Sequence, residues 1–288
     1  MKRSAMIDKD LIHQPQLWQL VAEISDTELS AIAFCPFEDG ALQHMEAPLK
    51  GTSHSERLKS LESAVYDNPG LLAEYGSVTI LWRTPRFTLM PGFVTDDAVA
   101  AETLHTVYPP DTSAPEHEQM SDIWPRLDVR LEYEVPADTA NFVRRTFVNP
   151  AMHHTLSPQA VWFGARHTGR ARGKTLVNLR HDSMDVVVLG DRAPLLANTF
   201  DCPDNADAVY YLLAMRQALE LRQTDEIIIA GDSRRRAAIT PLLRRYVSYV
   251  MPAIFPAELF RAGRAVLSCP FETAITPVAF LKPDKRKT

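Results

Sequence analysis

The sequence predicts a two-lobed α/β fold made by duplicating one strand–strand–strand–helix–strand–helix unit. Three observations predict it. Two runs of three short strand patterns, each joined by tight turns, open near Gln19 and near Thr175. Each run leads into an amphipathic helix and then a buried strand, a repeat of roughly 150 residues on aligning Ile24 with Val177. Apolar residues at 45% and charged residues at 23% give the 288-residue chain material for two cores. One open mixed sheet without duplication is the alternative.

In the first lobe the segments LVAEIS, LSAIAF and ALQHMEAPL alternate as strands do, separated by turns at Asp26-Thr27-Glu28 and Glu38-Asp39-Gly40. Ser53 or Ser55 caps a helix over 56–66, where Leu58, Leu61 and Val65 share a face, and Asn68-Pro69-Gly70 stops it. Residues 77–82 (SVTILW) read as a buried strand and 87–90 as a second. A helix over 96–108, opened by Thr95, ends at Pro109-Pro110. The polar stretch 111–119 reads as a loop. Strand 127–135 follows, then a helix from Pro136 to about Phe147, where proline fits the first turn. A short strand over 151–155 and a helix over 158–166 complete the lobe, and the polar, glycine-bearing stretch 167–173 connects it to the next.

The opening pattern then returns. Strands over 175–179, 185–189 and 194–200 are joined by turns at His181-Asp182-Ser183 and Gly190-Asp191-Arg192. Asp204 or Asn205 caps a helix over 206–221; EIIIA over 226–230 is a buried strand. A turn at Gly231-Asp232-Ser233, with Ser233 as cap, leads into a helix over 234–246 and a last strand over 247–251. These elements divide the chain into an N-terminal extension (1–18), lobe I (19–168) and lobe II (169–288). The proline-containing stretch 255–280 either completes lobe II or packs on a partner.

A net charge of −5 gives no general attraction to nucleic acid or anionic membranes, so neither is an expected partner. Cys35, Cys202 and Cys269 lie far apart in no metal-binding spacing, which fits a reducing, cytoplasmic setting with no disulfide framework. Nowhere do 18 apolar residues run together, so no membrane span is expected. The basic stretch 282–287 (KPDKRK) reads as a solvated end.

The segments TILWRTPRFTLMPGFV (79–94), LVNLRHDSMDVVVLGDRAPLLANTF (176–200), DAVYYLLAMRQAL (207–219) and EIIIAGDSRRRAAITPLLRRYV (226–247) resemble the bacterial domain-of-unknown-function family 3822. The resemblance covers about residues 21–250. It implies the actin-like ATPase (ribonuclease H-like) fold and no established activity.

Working members of that superfamily hold a nucleotide between lobes with two glycine-bearing hairpin turns. Phosphate oxygens must reach backbone N–H groups, which a side chain at the turn obstructs. The corresponding turns here, Ser25-Asp26-Thr27-Glu28-Leu29 and Arg180-His181-Asp182-Ser183-Met184, contain no glycine. Glu28 adds negative charge. Asp26 and Asp182 remain as hard oxygen donors able to hold Mg²⁺ through water, yet two carboxylates without neutralising donors repel a triphosphate. Of the adenosine-seating glycine turn only Gly231 remains, beside Asp232 and Ser233. The candidate cleft is therefore Asp26, Thr27, His181, Asp182, Ser183, Gly231 and Asp232, with no catalytic residue, no metal site and no cofactor expected.

Other clusters have ordinary readings. His153 and His154 are adjacent on a strand and face opposite sides, unlike a metal pair. His181, Asp182 and Asp185 form a candidate acid–base cluster. Arg234-Arg235-Arg236 at a helix start opposes the helix dipole and reads as solvated, with an anion or partner contact as the alternative. Tyr210, Tyr211, Leu212, Leu213 and Met215 fit the core face of a helix. The resulting expectation is a non-hydrolysing scaffold that binds another protein. An ATPase or kinase-like enzyme using ATP and Mg²⁺ is the alternative, and a structural homodimer the third reading.

Overall fold

Residues 19–34 are two short apolar segments about a polar turn; they pair as an antiparallel hairpin buried on both faces, and the rest of the first sheet grows from it. The computed structural model describes residues 6–109, 115–166, 172–191 and 193–280. Strands β1 (Gln19–Ile24), β2 (Glu28–Phe34) and β3 (Leu42–Pro48) form the expected meander. Helix α1 (His54–Tyr66) follows. Its start is fixed by a capping box in which Ser53 Oγ accepts from the Glu56 amide while the Glu56 carboxylate accepts from the Ser53 amide. Leu61 and Val65 are its buried residues, each worth about 1.5–3 kcal/mol on burial. Strand β4 (Ser77–Trp82) then runs parallel to β1.

Between β4 and the next helix the chain inserts β5 (Phe87–Pro91), α2 (Asp97–Val107), β6 (His117–Trp124) and β7 (Val129–Pro136). The three strands form a separate sheet in the order β5-β7-β6. Part of the stretch read as a loop over 111–119 is therefore strand: β6 begins at His117, while 110–114 lie outside the described residues. Asp96, not Thr95, caps α2, its carboxylate accepting from the Ala98 amide at 2.8 Å. Helix α3 (Ala137–Thr146) and strand β8 (Ala151–His154) follow, and β8 joins the first sheet parallel to β4. Its order is β3-β2-β1-β4-β8.

After α4 (Leu156–Arg166), strands β9 (Thr175–Leu179), β10 (Ser183–Leu189) and β11 (Pro194–Asp201) repeat the meander. Helix α5 (Asn205–Ala218), β12 (Ile227–Gly231), α6 (Ser233–Leu243), β13 (Val250–Pro252) and α7 (Phe271–Ala279) complete the chain's elements. The second sheet has the order β11-β10-β9-β12-β13, with the same senses of pairing as the first. Duplication is thus explicit in the topology, and the single-sheet alternative is excluded. Most of the 167–173 connection and the basic stretch 282–287 lie outside the described residues.

The chain divides into two compact units. Unit 1 takes residues up to Ile123, Arg130–Pro158 and everything from Pro256; unit 2 takes Trp124–Val129 and Gln159–Phe255. The chain passes from unit 1 to unit 2 within α4. Gln159, on α4, donates through Nε2 to Asp185 Oδ2 on β10 at 2.6 Å, whereas α7 packs on β1 and β2 of unit 1. Each repeat therefore gives its last helix to the other repeat's unit. That places the stretch 255–280, left open by the sequence, with the first sheet.

Each unit has its own core. In unit 2, Val177, Leu179, Met184, Val186 and Val188 from the meander meet Leu212 and Ile239 from α5 and α6. In unit 1, Phe271, Ala274 and Ile275 of α7 are buried, as are Leu20, Ala31 and Ile32 of the sheet. Among the described residues no helix is long and apolar enough to cross a membrane.

Candidate functional site

The β1–β2 turn is a two-residue turn, Asp26-Thr27, closed by the Ser25 amide donating to the Glu28 carbonyl at 3.0 Å. Serine at its first position shapes everything after it. Ser25 Oγ accepts from the amides of Thr27 (3.3 Å) and Glu28 (3.0 Å), a hydroxyl-capped turn. The Arg83 guanidinium, at the carboxyl end of β4, donates to the same oxygen at 2.8 Å. It also lies 3.6 Å from Glu23 Oε1. Two backbone donors of the kind a phosphate would need are thus already occupied by the turn's own hydroxyl. Asp26 and Thr27 are exposed at the tip.

In unit 2 the β9–β10 turn repeats this geometry: the Arg180 amide donates to the Ser183 carbonyl at 2.9 Å, with His181-Asp182 at the tip. Ser25 therefore corresponds to Arg180 and Ile24 to Leu179. Aligning Ile24 with Val177 from the sequence is wrong by two residues. Asp26 is matched by His181, and Asp182 by Thr27, so the two turn carboxylates do not occupy equivalent positions.

The acid–base cluster expected of His181, Asp182 and Asp185 does not form. His181 and Asp182 are exposed, while Asp185 is 1% exposed and points inward. There it accepts from Arg180 Nη2 (2.7 Å), Gln159 Nε2 (2.6 Å) and Thr199 Oγ1 (2.8 Å). Three donors satisfy the carboxylate and hold it as part of the structure. Ser183 opens β10 and donates to Asp182 Oδ1 at 3.1 Å.

Gly231 ends β12 with φ of 85°, where a Cβ would lie 2.0 Å from the Leu179 carbonyl oxygen. Only glycine makes that corner without strain. The Asp232 amide donates to the same carbonyl at 2.8 Å, and its carboxylate, not the Ser233 hydroxyl, caps α6 by accepting from the Arg235 amide at 2.7 Å. Arg235 corrects the reading of a solvated arginine triplet. It is 8% exposed, and its guanidinium donates to the carbonyls of Arg180 and Cys202, both at 2.7 Å, and to Asn205 Oδ1 at 3.1 Å. His181, Asp182, Ser183, Gly231 and Asp232 are thus gathered at one end of the second sheet, tied together by an arginine. Burial raises the Cys202 thiol pKa above its ordinary value, with Arg235 opposing the shift.

The adjacent histidines of β8 are both committed. His153 Nδ1 lies 2.8 Å from Asp122 Oδ1, and His154 Nε2 lies 3.0 Å from the Thr84 carbonyl. Among the described residues no three His, Cys, Asp or Glu side chains are grouped to hold a metal.

Unit 1 also contains a pocket that the sequence did not reveal. It opens at the carboxyl ends of β1 and β4, the end of an α/β sheet at which ligands characteristically bind. Ile24, Leu58, Leu61, Trp82 and Val135 supply apolar lining, and Asp26, His54, Arg57, Arg83, Arg86 and His117 supply polar groups. The cavity measures about 160 Å³. Three of its cationic or basic groups already face carboxylates: Arg83 faces Glu23, Arg86 is bound to Glu134 at 2.8 Å, and His54 to Asp138 at 2.7 Å.

A family model described as a protein of unknown function, DUF3822, matches residues 9–250. The chain belongs to the DUF3822 family. No curated protein matches the sequence. Among solved structures, this DUF3822 chain is similar to a Bacteroides thetaiotaomicron VPI-5482 protein of actin-like ATPase fold and unknown function. The TM-score is 0.73 at 20% identity, covering 92% of this chain and 100% of that one. It is also similar to a chain of the PilM–PilN type IV pilus biogenesis complex, with a TM-score of 0.55 at 12% identity, covering 91% and 97%. At these identities the likeness speaks for the fold, and the DUF3822 chain has the actin-like ATPase fold.

The pocket residues escaped the sequence reading because Arg57, Trp82 and His117 come from α1, β4 and β6, with no motif linking them. The one available signal was SVTILWR, a buried strand that ends in tryptophan and arginine at its carboxyl end.

Proposed function

We propose that this DUF3822 protein is a non-hydrolysing actin-like scaffold that binds another protein. The observation that carries the proposal is the occupation of the Thr27 and Glu28 amides by Ser25 Oγ, itself held by Arg83. A phosphate group approaching that turn meets a filled hydroxyl cap, the carboxylates of exposed Asp26 and half-buried Glu28, and no glycine. In the second unit, Arg235 braces the turn by donating to the Arg180 carbonyl, and ties it to the end of β11 through the Cys202 carbonyl.

On this reading the turn of Asp26 and Thr27 in the first unit, and separately the turns of His181, Asp182, Ser183, Gly231 and Asp232 in the second, no longer serve a nucleotide, and neither ATP nor Mg²⁺ is required. The PilM–PilN complex is a case of a similar fold assembled with another protein. Three cysteines, all buried and free, favour a cytoplasmic setting.

Isothermal titration of the full chain with Mg-ATP and with Mg-AMP-PNP tests the proposal. No saturable heat up to about 1 mM nucleotide is expected, which bounds the binding free energy at roughly −4 kcal/mol. Micromolar binding, or phosphate release above the uncatalysed rate, would replace the scaffold with the ATPase or kinase-like reading.

A further inference from the structure

We propose that two copies of this chain pair through the outer edge of β11, joining their second sheets across a two-fold axis at Asn198. An unpaired sheet edge displays amides and carbonyls that accept a further strand, and folded proteins guard it with short strands, proline, charge or a covering element. Among the described residues, three of the four edges of the two five-stranded sheets are guarded in this way. Strand β13 has three residues and ends in Pro252, which has no amide to offer, and its Val250 carbonyl accepts from Arg244 Nη2 at 3.0 Å. Strand β3 carries His44 and Glu46 and has the 3₁₀ segment Ala257–Ser268 packed against it. Strand β8 has only four residues.

Strand β11 is the fourth edge. Eight residues long, it has no lysine or arginine, and its one charge, Asp201, stands at its end. Its irregularity is confined to the other end, where Val188 pairs with Leu196 and Leu189 with Pro194, leaving Leu195 as the extra residue of a bulge. Residues 196–201 pair regularly with β10. Just beyond them the Cys202 amide donates to the Asp182 carbonyl at 2.8 Å, so even-numbered positions bond to β10 and odd-numbered ones face outward. The backbone groups of Ala197 and Thr199 therefore point away from the sheet, without a partner among the described residues. Leu196 and Phe200 pack on the core of unit 2 and are still only partly buried.

What selects a second copy is the strand's fit to itself. Set antiparallel about Asn198, Ala197 of each copy meets Thr199 of the other, and both pairs exchange backbone hydrogen bonds. Leu196 falls opposite Phe200, an aliphatic–aromatic pair of the kind that stabilises adjacent strands. Asn198 meets its own copy on the axis, where an amide side chain both donates and accepts. The two Asp201 carboxylates stay about 20 Å apart at ~3.3 Å per residue, beyond the screening length of about 8 Å at physiological salt. A strand of another protein finds no charge on 196–200 by which to be recognised. The inference is independent of the scaffold reading, since an active ATPase could pair in the same way.

The test is sedimentation equilibrium of the full chain between about 1 and 100 µM, over which the mass is expected to climb from one chain towards two. Asn198→Lys and Asn198→Asp each set like charges against one another on the axis and should weaken association about tenfold or more. An equimolar mixture of the two variants should associate again, as a one-to-one heterodimer. Asn198→Cys reads the register without adding charge. Opposed non-hydrogen-bonded positions have Cα atoms about 4.5 Å apart, within disulfide reach, so mild oxidation should link two chains of this variant. The parent chain, whose three cysteines are buried, should stay unlinked. Circular dichroism melting verifies that each variant is folded. A single-chain mass for the parent at about 100 µM overturns the proposal and leaves the β11 edge to a strand of another protein. Association unchanged by Asn198→Lys, a mixture that stays monomeric, or an Asn198→Cys chain that oxidation does not link overturns it equally.

Discussion

The Arg235 guanidinium donates to the Arg180 carbonyl at 2.7 Å across 55 residues of sequence, joining the start of α6 to the β9–β10 turn. The same side chain reaches the Cys202 carbonyl and Asn205. A cation spending its donors on carbonyl oxygens inside the fold is a structural pin.

Arg235→Met should therefore lower stability by about 2–4 kcal/mol, because it leaves at least two buried carbonyls without a donor while preserving side-chain volume. Urea denaturation followed by circular dichroism gives the value. A change below about 0.5 kcal/mol would mean that water replaces the guanidinium freely.

Gly231→Ala is expected to be more damaging than its size suggests. The added methyl meets the Leu179 carbonyl oxygen at 2.0 Å, and the backbone there has φ of 85°. Backbone strain alone costs about 1–3 kcal/mol, and relieving the clash requires β9 or β12 to shift. A fall in Tm with displaced β9 and β12 amide signals is the expected result. Gly40→Ala is the control, since it shares a positive φ but has open space around its Cβ.

The structure predicts that the two sequence repeats fold poorly apart. A fragment ending at residue 168 lacks α7, which packs on β1 and β2, and a fragment starting at 169 lacks α4, whose Gln159 reaches Asp185. Each alone should show weak, uncooperative melting, and co-expression should yield a one-to-one complex on size exclusion. Cooperative melting of either isolated fragment would show that its borrowed helix is dispensable.

His44 on β3 should make stability depend on pH. Burial holds its pKa below the ordinary 6.5, with Glu46, 3.5 Å away, opposing the shift. The unfolded chain then binds the proton first as pH falls, so the residue's contribution is intact above 6.5 and declines from there down to the lower folded value. Comparing denaturation midpoints at pH 7.5 and pH 5.5 tests this, and the drop should be smaller in His44→Gln than in the parent chain.

Much of this fold is legible in the sequence because its signals are local. The alternation of LVAEIS and LSAIAF, and the apolar run EIIIA, locate β1, β2 and β12 without help from distant residues. Strand β6 (HEQMSDIW) was missed because its first residues are polar and only partly buried, so packing in the small inserted sheet overrides composition. Setting the turn that begins at Ser25 against the one that begins at Arg180 agrees with their hydrogen bonding, whereas aligning Ile24 with Val177 slips by two residues because the apolar strand patterns are alike in either register. Arg235 left only an indirect mark, a run of arginines at the wrong end of a helix dipole. The pocket left only the strand SVTILWR, since its remaining lining comes from elements brought together by the insert between β4 and α3.

The exchange of helices also orders events on the ribosome. Roughly 250 residues separate β1 from α7, so at about 5–20 residues per second the first sheet waits some 10–50 s for the helix that shelters its inner face. During that interval the part of β1 and β2 that α7 covers is open to water and to other nascent chains. Production of this protein should accordingly be limited by chaperone supply and elongation rate more than by the stability of the finished molecule.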